Sequence, residues 1–190
     1  MDEEIERLHI DSMKRHQNDV KEGLILVANS SIGKKLGFSL KDAAEIGNEH
    51  DADKLDPHSP HYESYIIISG YYENVLDPEE YPYTPELDAA TQAHISEQTH
   101  HPESWDANWK PIPVKSWEQR RSTIQAPADG SGMDIHALVE MCADWRGQGI
   151  LRGNTAKSWA DRCRHDGRYL FQDDQWKLIY AVLFDIDIRQ

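Results

Sequence analysis

A helical repeat at the start of the chain constrains the fold most. Between residue 3 and about residue 29, residues that form one helix face recur at intervals of three or four: Ile5, Leu8, Ser12, His16, Asp19 and Gly23. Gly33 and Gly37 then predict a loop. Further helices are predicted from Ser39 to His50 or Asp51 and over 62–73, 84–98, 133–146, 155–164 and 172–186. Because there are neither internal repeats nor convincing β-hairpins, the pattern predicts an all-α protein.

Residues 102–132 break this helical pattern. The segment contains Pro102, Pro111, Pro113, Pro127 and the sequence Gly130-Ser131-Gly132, so we expect a long irregular segment there. Such a loop is unusual inside a compact domain and often serves function, for example as a lid. A chain of 190 residues is long enough for one domain with its own core. We therefore expect a single helical bundle over residues 1–190, with an irregular stretch around 102–132.

The charge of the chain excludes some partners. Lys and Arg total 20 against 34 Asp and Glu, a net charge of -14. Such a surface repels nucleic acid phosphates and anionic membranes, which argues against binding to duplex nucleic acid or to a membrane. The two cysteines form no CxxC motif, which suits a reducing compartment. Without an apolar leader or a run of ~20 apolar residues, a cytoplasmic protein is expected. Its oligomeric state stays open.

Histidines and aspartates in a fixed order point to a metal site. The central pair is His50-Asp51, and the other members are His16, His94, His100, His101 and Asp144. Imidazole and carboxylate together suit Mn, Fe, Co, Ni or Zn, and helices can carry such ligands inward from separate segments. We predict one ion at His16, His50, Asp51 and Asp144.

A second ion would be held by His94, His100 or His101, with Asp51 as the bridge. Which of the two adjacent histidines faces inward stays open. A bound ion would lower the pKa of a water and polarise a phosphoryl oxygen.

Several side chains near these ligands are candidates for supporting roles. Glu140 lies one helical turn before Asp144 and is predicted to orient a ligand from behind. Lys54, with Arg15 or Arg146, would neutralise phosphate charge. Arg15 should point some 100° away from His16 around the helix, which makes it a weaker candidate for neutralising phosphate charge.

Each residue also has an ordinary interpretation when it is taken singly. His16 fits a hydrogen-bonded core histidine, and Glu140 and Asp144 fit a solvated helix face. Four other histidines are expected at the surface or in loops: His9, His58, His61 and His165. The metal interpretation is favoured because the acidic residues that follow His50 would repel one another without a cation.

The order of these residues resembles the HD-domain superfamily of metal-dependent phosphohydrolases. On that resemblance His16 is the first ligand, His50-Asp51 is the signature doublet and Asp144 is the last ligand. The resemblance is closer to a small HD-like family of uncharacterised phage and bacterial proteins. Three segments carry it: His50-Asp51-Ala52-Asp53-Lys54, His100-His101-Pro102-Glu103-Ser104-Trp105 and Cys142-Ala143-Asp144-Trp145.

The resemblance spans residues 9 to about 147. It implies that His94 and one of His100 and His101 supply a second metal site, and that Lys54 contacts a substrate phosphate.

Three functions follow as hypotheses. The first is a metal-dependent phosphohydrolase acting on a small phosphorylated substrate, with a nucleotide expected, in which Asp51 and Lys54 act in catalysis. The second is a non-catalytic metal- or nucleotide-binding module, and the third is a di-iron oxygenase of HD-like fold. An open coordination position would favour catalysis, because structural metal sites are closed by protein ligands.

Overall fold

The computed structural model describes residues 3–122 and 125–187. Nine α-helices lie in those ranges: α1 (Glu3–Asn29), α2 (Ser31–Leu36), α3 (Leu40–Glu49), α4 (Tyr62–Tyr72), α5 (Pro85–Glu97), α6 (Trp117–Ser122), α7 (Ile135–Arg152), α8 (Ala156–His165) and α9 (Asp173–Asp187). Single 3-10 turns cover Ala52–Leu55 and Pro102–Trp105. The same ranges contain no strand beyond an isolated bridge between Ala128 and Tyr169. The prediction of an all-α protein is confirmed.

Helices α1 and α7 form the centre of the molecule. α1 packs along α7 and α3 and, over a shorter length, along α4, while α8 and α9 cover another side of α7. Every residue from Ala137 to Ala143 is buried, because α7 has neighbours on almost all sides. Apolar side chains of α1 and α9 complete the main core around it. A side chain on α7 can therefore border an open pocket only where the surrounding helices leave a gap.

Small residues let α1 approach its neighbours closely. A Cβ on Gly147 would lie 3.3 Å from the His16 ring and from Val20, and a Cβ on Gly47 would lie 2.9 Å from the Lys21 side chain. These contacts leave little room for a larger residue at either glycine. The tight crossing of α1 and α7 is what brings His16 to the face of α7 that carries Asp144.

The irregular segment is partly ordered into helix. Residues 102–132 contain the 3-10 turn Pro102–Trp105 and the short α6, while most other described residues of the segment follow no regular element. The Trp117 ring in α6 stacks on Tyr71 with centroids 3.9 Å apart, and its indole N–H donates to the Tyr81 carbonyl. The segment is thus attached to α4 by a buried aromatic contact, which fixes the position of α6.

Two other predictions about elements were wrong. α2 replaces the predicted loop, since the Ser30 hydroxyl accepts from the Gly33 N–H and Gly37, at φ 71°, ends the helix. α7 continues past the predicted end at Arg146, because packing of Gly147 and Gly149 against neighbouring segments offsets their low helix propensity. In the described part of the chain, none of the helices is long and apolar enough to cross a membrane.

Candidate metal centre

The predicted ligands converge from five segments. They lie on α1 (His16), at the end of α3 (His50 and Asp51), on α5 (His94), in the loop after α5 (His100 and His101) and on α7 (Asp144). His50, Asp51 and His100 are at most 2% exposed. The imidazole rings form a continuous chain, with centroids 5.2 Å apart from His16 to His50, 4.4 Å from His50 to His100 and 4.3 Å from His100 to His101.

Asp51 has an unusual backbone that places its carboxylate among these rings. α3 begins at a Ser39–Asp42 capping box and ends at His50, and Asp51 then adopts a left-handed conformation with φ 53°. Such a conformation costs about 1–3 kcal/mol for a residue other than glycine, although Asp tolerates it better than most. The Asp51 carboxylate consequently lies 3.2 Å from His94 Nε2, 3.5 Å from His100 Nε2 and 3.7 Å from His16 Nε2. The carboxylate thus lies between rings carried by α1, by α5 and by the loop after α5, as a bridging ligand must.

We call His16, His50 and Asp144 the first ligand group. His16 Nε2 lies 3.2 Å from His50 Nε2 and 3.0 Å from Asp144 Oδ1, and His50 Nε2 lies 3.7 Å from the same oxygen. Ligand atoms at about 2.0–2.2 Å from one zinc-like ion are separated by roughly 3 to 3.6 Å. The spacing of the three donors therefore fits a single transition-metal ion, with Asp51 as a fourth ligand.

The second ligand group is His94, His100 and His101. One ring nitrogen from each lies within 4.8 Å of the others. Both adjacent histidines line the same pocket, but His100 is the buried one and its Nε2 is the nitrogen that approaches Asp51. His100 is thus the better placed ligand of the pair, and His101 adds a donor at the pocket wall.

Carboxylates hold three of the rings in the orientation that metal binding needs. Glu140 Oε1 accepts from His50 Nδ1 at 2.9 Å and also lies 3.2 Å from His100 Nδ1. Asp53 Oδ2 accepts from His94 Nδ1 at 3.0 Å and also from the Tyr65 hydroxyl at 3.1 Å. When a carboxylate holds the proton on Nδ1, Nε2 is left to face the metal. His16 differs, since its Nδ1 is buried with no hydrogen-bond partner in the described ranges.

Two facing atoms in the cluster lack a hydrogen-bond partner. His94 Nε2 and Asp51 Oδ1 are buried, lie 3.2 Å apart and, within the described ranges, have no hydrogen-bond partner. A buried polar atom left unsatisfied costs roughly 1–3 kcal/mol. A cation between the two would satisfy both.

The charges of the cluster are out of balance. Four carboxylates border it, Asp51, Asp53, Glu140 and Asp144, and Lys54 supplies one ammonium, 2.7 Å from Asp51 Oδ2. Burial opposes ionisation of Asp51, but Lys54 and His50 outweigh it and hold the pKa of that carboxyl well below its usual range. A divalent ion would offset the excess negative charge.

The histidines respond to the same imbalance in different ways. Burial lowers the pKa of His50, but Asp51, Asp144 and Glu140 outweigh it and raise the pKa to about 10. A proton on His50 therefore acts as a counter-charge in the metal-free chain. Burial and the rings of His100 and His94 hold the pKa of His101 well below its usual value, which keeps that ring in the neutral form that binds metals.

The cluster opens on one side to a pocket of about 540 Å³. Members of both ligand groups line its inner end together with Asp51 and Lys54, and Tyr72, Glu73 and Arg120 line it elsewhere. Arg120 belongs to α6, and its guanidinium donates to Thr91 Oγ1 at 2.7 Å and to the Tyr83 hydroxyl at 3.3 Å. The cluster is therefore not closed over by protein, and the pocket gives a small molecule access to it.

Some predicted residues lie elsewhere. Arg146 is buried, donates to the carbonyls of Asp19 and Ile186, and lies 3.6 Å from Glu22. It does not line the pocket, so the prediction that it contacts a substrate phosphate was wrong. Arg15 is exposed, lies 4.0 Å from Glu73 and does not line the pocket either.

The prediction that His9 lies at the surface was also wrong. His9 is 1% exposed; its ring bonds to the Ser69 hydroxyl and to the Lys54 carbonyl, both at 2.8 Å. It holds the 3-10 turn that carries Lys54. His58 and His165 are exposed, as predicted, and His61 is partly exposed.

Three residues that border the site were not predicted from the sequence. Asp53 lies inside the His50–Lys54 motif, shortly after the predicted ligands His50 and Asp51. This position in the sequence was the signal that could have identified it. Tyr65 carried no signal beyond its expected burial on α4. Arg120 was visible only as half of an Arg120-Arg121 pair in a segment with little pattern.

The fold and the site define an all-helical protein with a buried histidine–carboxylate cluster beside an open pocket. The chain belongs to a family of unknown function, DUF5662, whose sequence profile matches residues 6–184. Comparisons with curated proteins and with solved structures found no match. The resemblance to the HD-domain superfamily therefore stays a prediction.

Proposed function

We propose that this protein is a divalent-metal-dependent phosphohydrolase that acts on a small phosphorylated compound, with a nucleotide as the expected substrate. Mn, Fe, Co, Ni and Zn are the candidate ions, one or two per chain, because the donors are imidazoles and carboxylates. The observation that carries the proposal is the convergence of both ligand groups on Asp51 at the inner end of an accessible pocket.

The fit of the residues to a metal rests on three independent features. The donor spacing of the first ligand group suits one ion, Nδ1 of His50, His94 and His100 lies against a carboxylate, and the carboxylates outnumber the cations around the cluster. An ion bound there would supply Lewis acidity and an activated water.

The chain's own charged residues divide the remaining work. Asp51 would hold the ion and orient the water beside it, since its carboxylate borders every ring of the cluster except His101. Lys54, at the same end of the pocket, would neutralise phosphate charge. Arg120 takes the role first expected of Arg15 or Arg146, because it is an arginine whose side chain borders this pocket. The net negative charge of the chain repels an anionic substrate, and the positive charge of these side chains offsets that repulsion inside the pocket.

The open side of the cluster favours catalysis over the alternative of a structural metal. Structural sites are closed by protein ligands, whereas His16, Asp51, His94 and Asp144 all border the pocket. A di-iron oxygenase would use a similar ligand set, but it would have no need of positive charge from Lys54 beside the ligands and from Arg120 elsewhere in the pocket.

The test compares the wild type with Asp51→Asn, which keeps the side-chain shape and tolerates the left-handed backbone. Asp56→Asn is the matched control, because Asp56 lies five residues on, is exposed and, within the described ranges, uses its side chain only to accept from the His58 N–H. Bound metals are measured by elemental analysis, and phosphate release is screened over nucleotides with added Mn.

We expect the wild type and Asp56→Asn to bind metal and release phosphate, and Asp51→Asn to lose both. Iron bound with O₂ consumption and no phosphate release would replace the proposal with the oxygenase. Metal without either activity would leave a binding module. Absence of metal from the wild type, even after Mn or Co is supplied, would overturn the metal centre itself.

A further inference from the structure

A second pocket of about 230 Å³ adjoins the metal-facing pocket. The two share His101, Asp144, Gln148 and Arg152 as lining residues, so they meet at a candidate metal ligand. Asp144, Gln148 and Arg152 are spaced four residues apart on α7 and therefore form one stripe along that helix. The stripe leads from the metal centre into the second pocket.

The walls of the second pocket are aromatic. Trp145 and Tyr169 are buried and lie nearly parallel, with ring centroids 6.0 Å apart and planes at 16°. Trp159, on α8, is 37% exposed although it is a large apolar ring, and the Arg162 guanidinium lies 5.6 Å from its centroid. An accessible indole beside an arginine is a surface on which a flat, electron-rich ring can stack.

The polar groups of the second pocket favour an anion with hydrogen-bonding edges. Among its described lining residues, Asp144 is the sole carboxylate, whereas Arg152 and Arg162 carry positive charge. The second pocket therefore has an excess of positive charge, although the chain as a whole has a net charge of -14. Within the described ranges, the side chains of Gln148, Arg152 and Arg162 form no hydrogen bond, so their donors are free for a ligand. Thr155 and Ser158 differ, since their side chains already bond at the start of α8.

We propose that the second pocket is the base-binding subsite of a nucleoside monophosphate whose phosphate lies at the metal centre. The position of the phosphate rests on the proposed phosphohydrolase function; the base subsite rests on the aromatic walls and the free donors. The base would stack on Trp159, Gln148 would bond to the sugar or to the base edge, and Arg152, which lines both pockets, would face the phosphate.

The experiment measures equilibrium binding by calorimetry to Mn-loaded protein. The probes are the four common ribonucleoside 5′-monophosphates and ribose 5-phosphate, which lacks a base. The variants are Trp159→Ala and, as the matched control, Phe184→Ala, which removes an aromatic ring that is 68% exposed and lies outside both pockets. Metal content and circular dichroism check that each variant is folded and loaded.

We expect at least one nucleotide to bind the wild type about tenfold or more tightly than ribose 5-phosphate does, since stacking of a base on an aromatic side chain supplies an effect of that order. Trp159→Ala should remove this preference and Phe184→Ala should keep it. The subsite is overturned when no nucleotide exceeds ribose 5-phosphate, or when Trp159→Ala keeps the preference.

Failure of the subsite and failure of the proposed function give different results. Nucleotide binding that depends on Trp159, without phosphate release from any probe, supports the subsite and removes the hydrolase. Phosphate release at equal efficiency from nucleotides and ribose 5-phosphate, with no dependence on Trp159, supports the hydrolase and removes the subsite.

Discussion

The two ligand groups differ in what supports them. The first group lies on α1, at the end of α3 and on α7, which pack on one another through the main core. In the second group, His94 lies in the last turn of α5, and His100 and His101 lie in the loop that follows. α5 packs mainly against α4 and the 3-10 turn Pro102–Trp105. The first group also has a carboxylate of its own, Asp144, whereas the second depends on Asp51.

One cluster of candidate ligands can therefore contain two sites of unequal rigidity. Ligands on central helices keep their geometry without metal, because the core holds the helices and their side-chain rotamers. Ligands in a loop lose less of their conformational freedom on folding, so a metal must supply more of their ordering. We therefore expect a tight ion at the first group and a weaker one at the second.

The largest effect should come from removing one histidine of each group in turn. His16→Ala should lower the affinity for the tight ion by more than about a hundredfold, which exceeds the cost of losing a supporting partner. His94→Ala should remove only the weaker ion and leave the tight one at full occupancy. Metal titration with a competing chelator separates the two, and loss of both ions from the His94 variant would show that the groups form one inseparable site.

The carboxylates behind the rings offer a finer comparison. Glu140→Gln should weaken both ions by about 10- to 100-fold, because the Glu140 carboxylate contacts Nδ1 of a histidine in each group, His50 at 2.9 Å and His100 at 3.2 Å. Asp53→Asn should weaken only the second ion, because Asp53 accepts from His94 alone among the ligands. Equal effects on both ions in the two variants, measured by the same titration, would contradict separate roles for these carboxylates.

Proton release on metal binding should distinguish the groups further. His50 has a pKa raised to about 10, so an ion at the first group must displace its proton at neutral pH. The affinity of the tight ion should rise about tenfold per pH unit between pH 6 and 9 for each proton displaced. Calorimetry in two buffers of different ionisation enthalpy counts these protons. A pH-independent affinity would show that His50 is not a ligand.

The smallest effect is on the stability of the metal-free chain. The raised pKa of His50 contributes stability that is fully present below about pH 6.5, its unfolded value, and is lost as pH rises through about 10. The lowered pKa of His101 contributes stability that is present above about pH 6.5 and is lost as pH falls. The lowered pKa values of Asp51 and Asp144 likewise contribute stability above about pH 4 that is lost on acidification.

The Tm of chelated protein, followed from pH 4 to 10, should therefore be highest near pH 6 to 7. Loading with Mn should reduce the alkaline decline, because the ion replaces the proton on His50. An alkaline decline of the same size in His50→Gln would show that another group causes it.

Local sequence patterns predicted most of the helices and the side chains that the fold gathers into the buried cluster. Helix periodicity and the Ser39 cap depend on residues a few positions apart, so they placed α3 and its terminal His50-Asp51 pair correctly. Histidine and carboxylate are the residue types that bind transition metals, and seven of them in a fixed order identified the cluster. The contact of Glu140 with both His50 and His100, and the position of Arg120 at the pocket, were visible only in the packed structure.

The sequence by itself determined an all-α chain and the side chains available for metal binding, because both follow from local propensity and donor chemistry. Tertiary structure alone decided which faces meet. The buried face of α1 contains Ile5, His9, Met13, His16 and Val20. Several of these residues lie one position after the residues predicted for that face. His9 is therefore buried and supports the site, although it was expected at the surface. Arg146 points to the carbonyls of α1 and α9 and away from the pocket for the same reason. A helix can present any of several faces, and only the close packing of α1, α7 and α9 selects one.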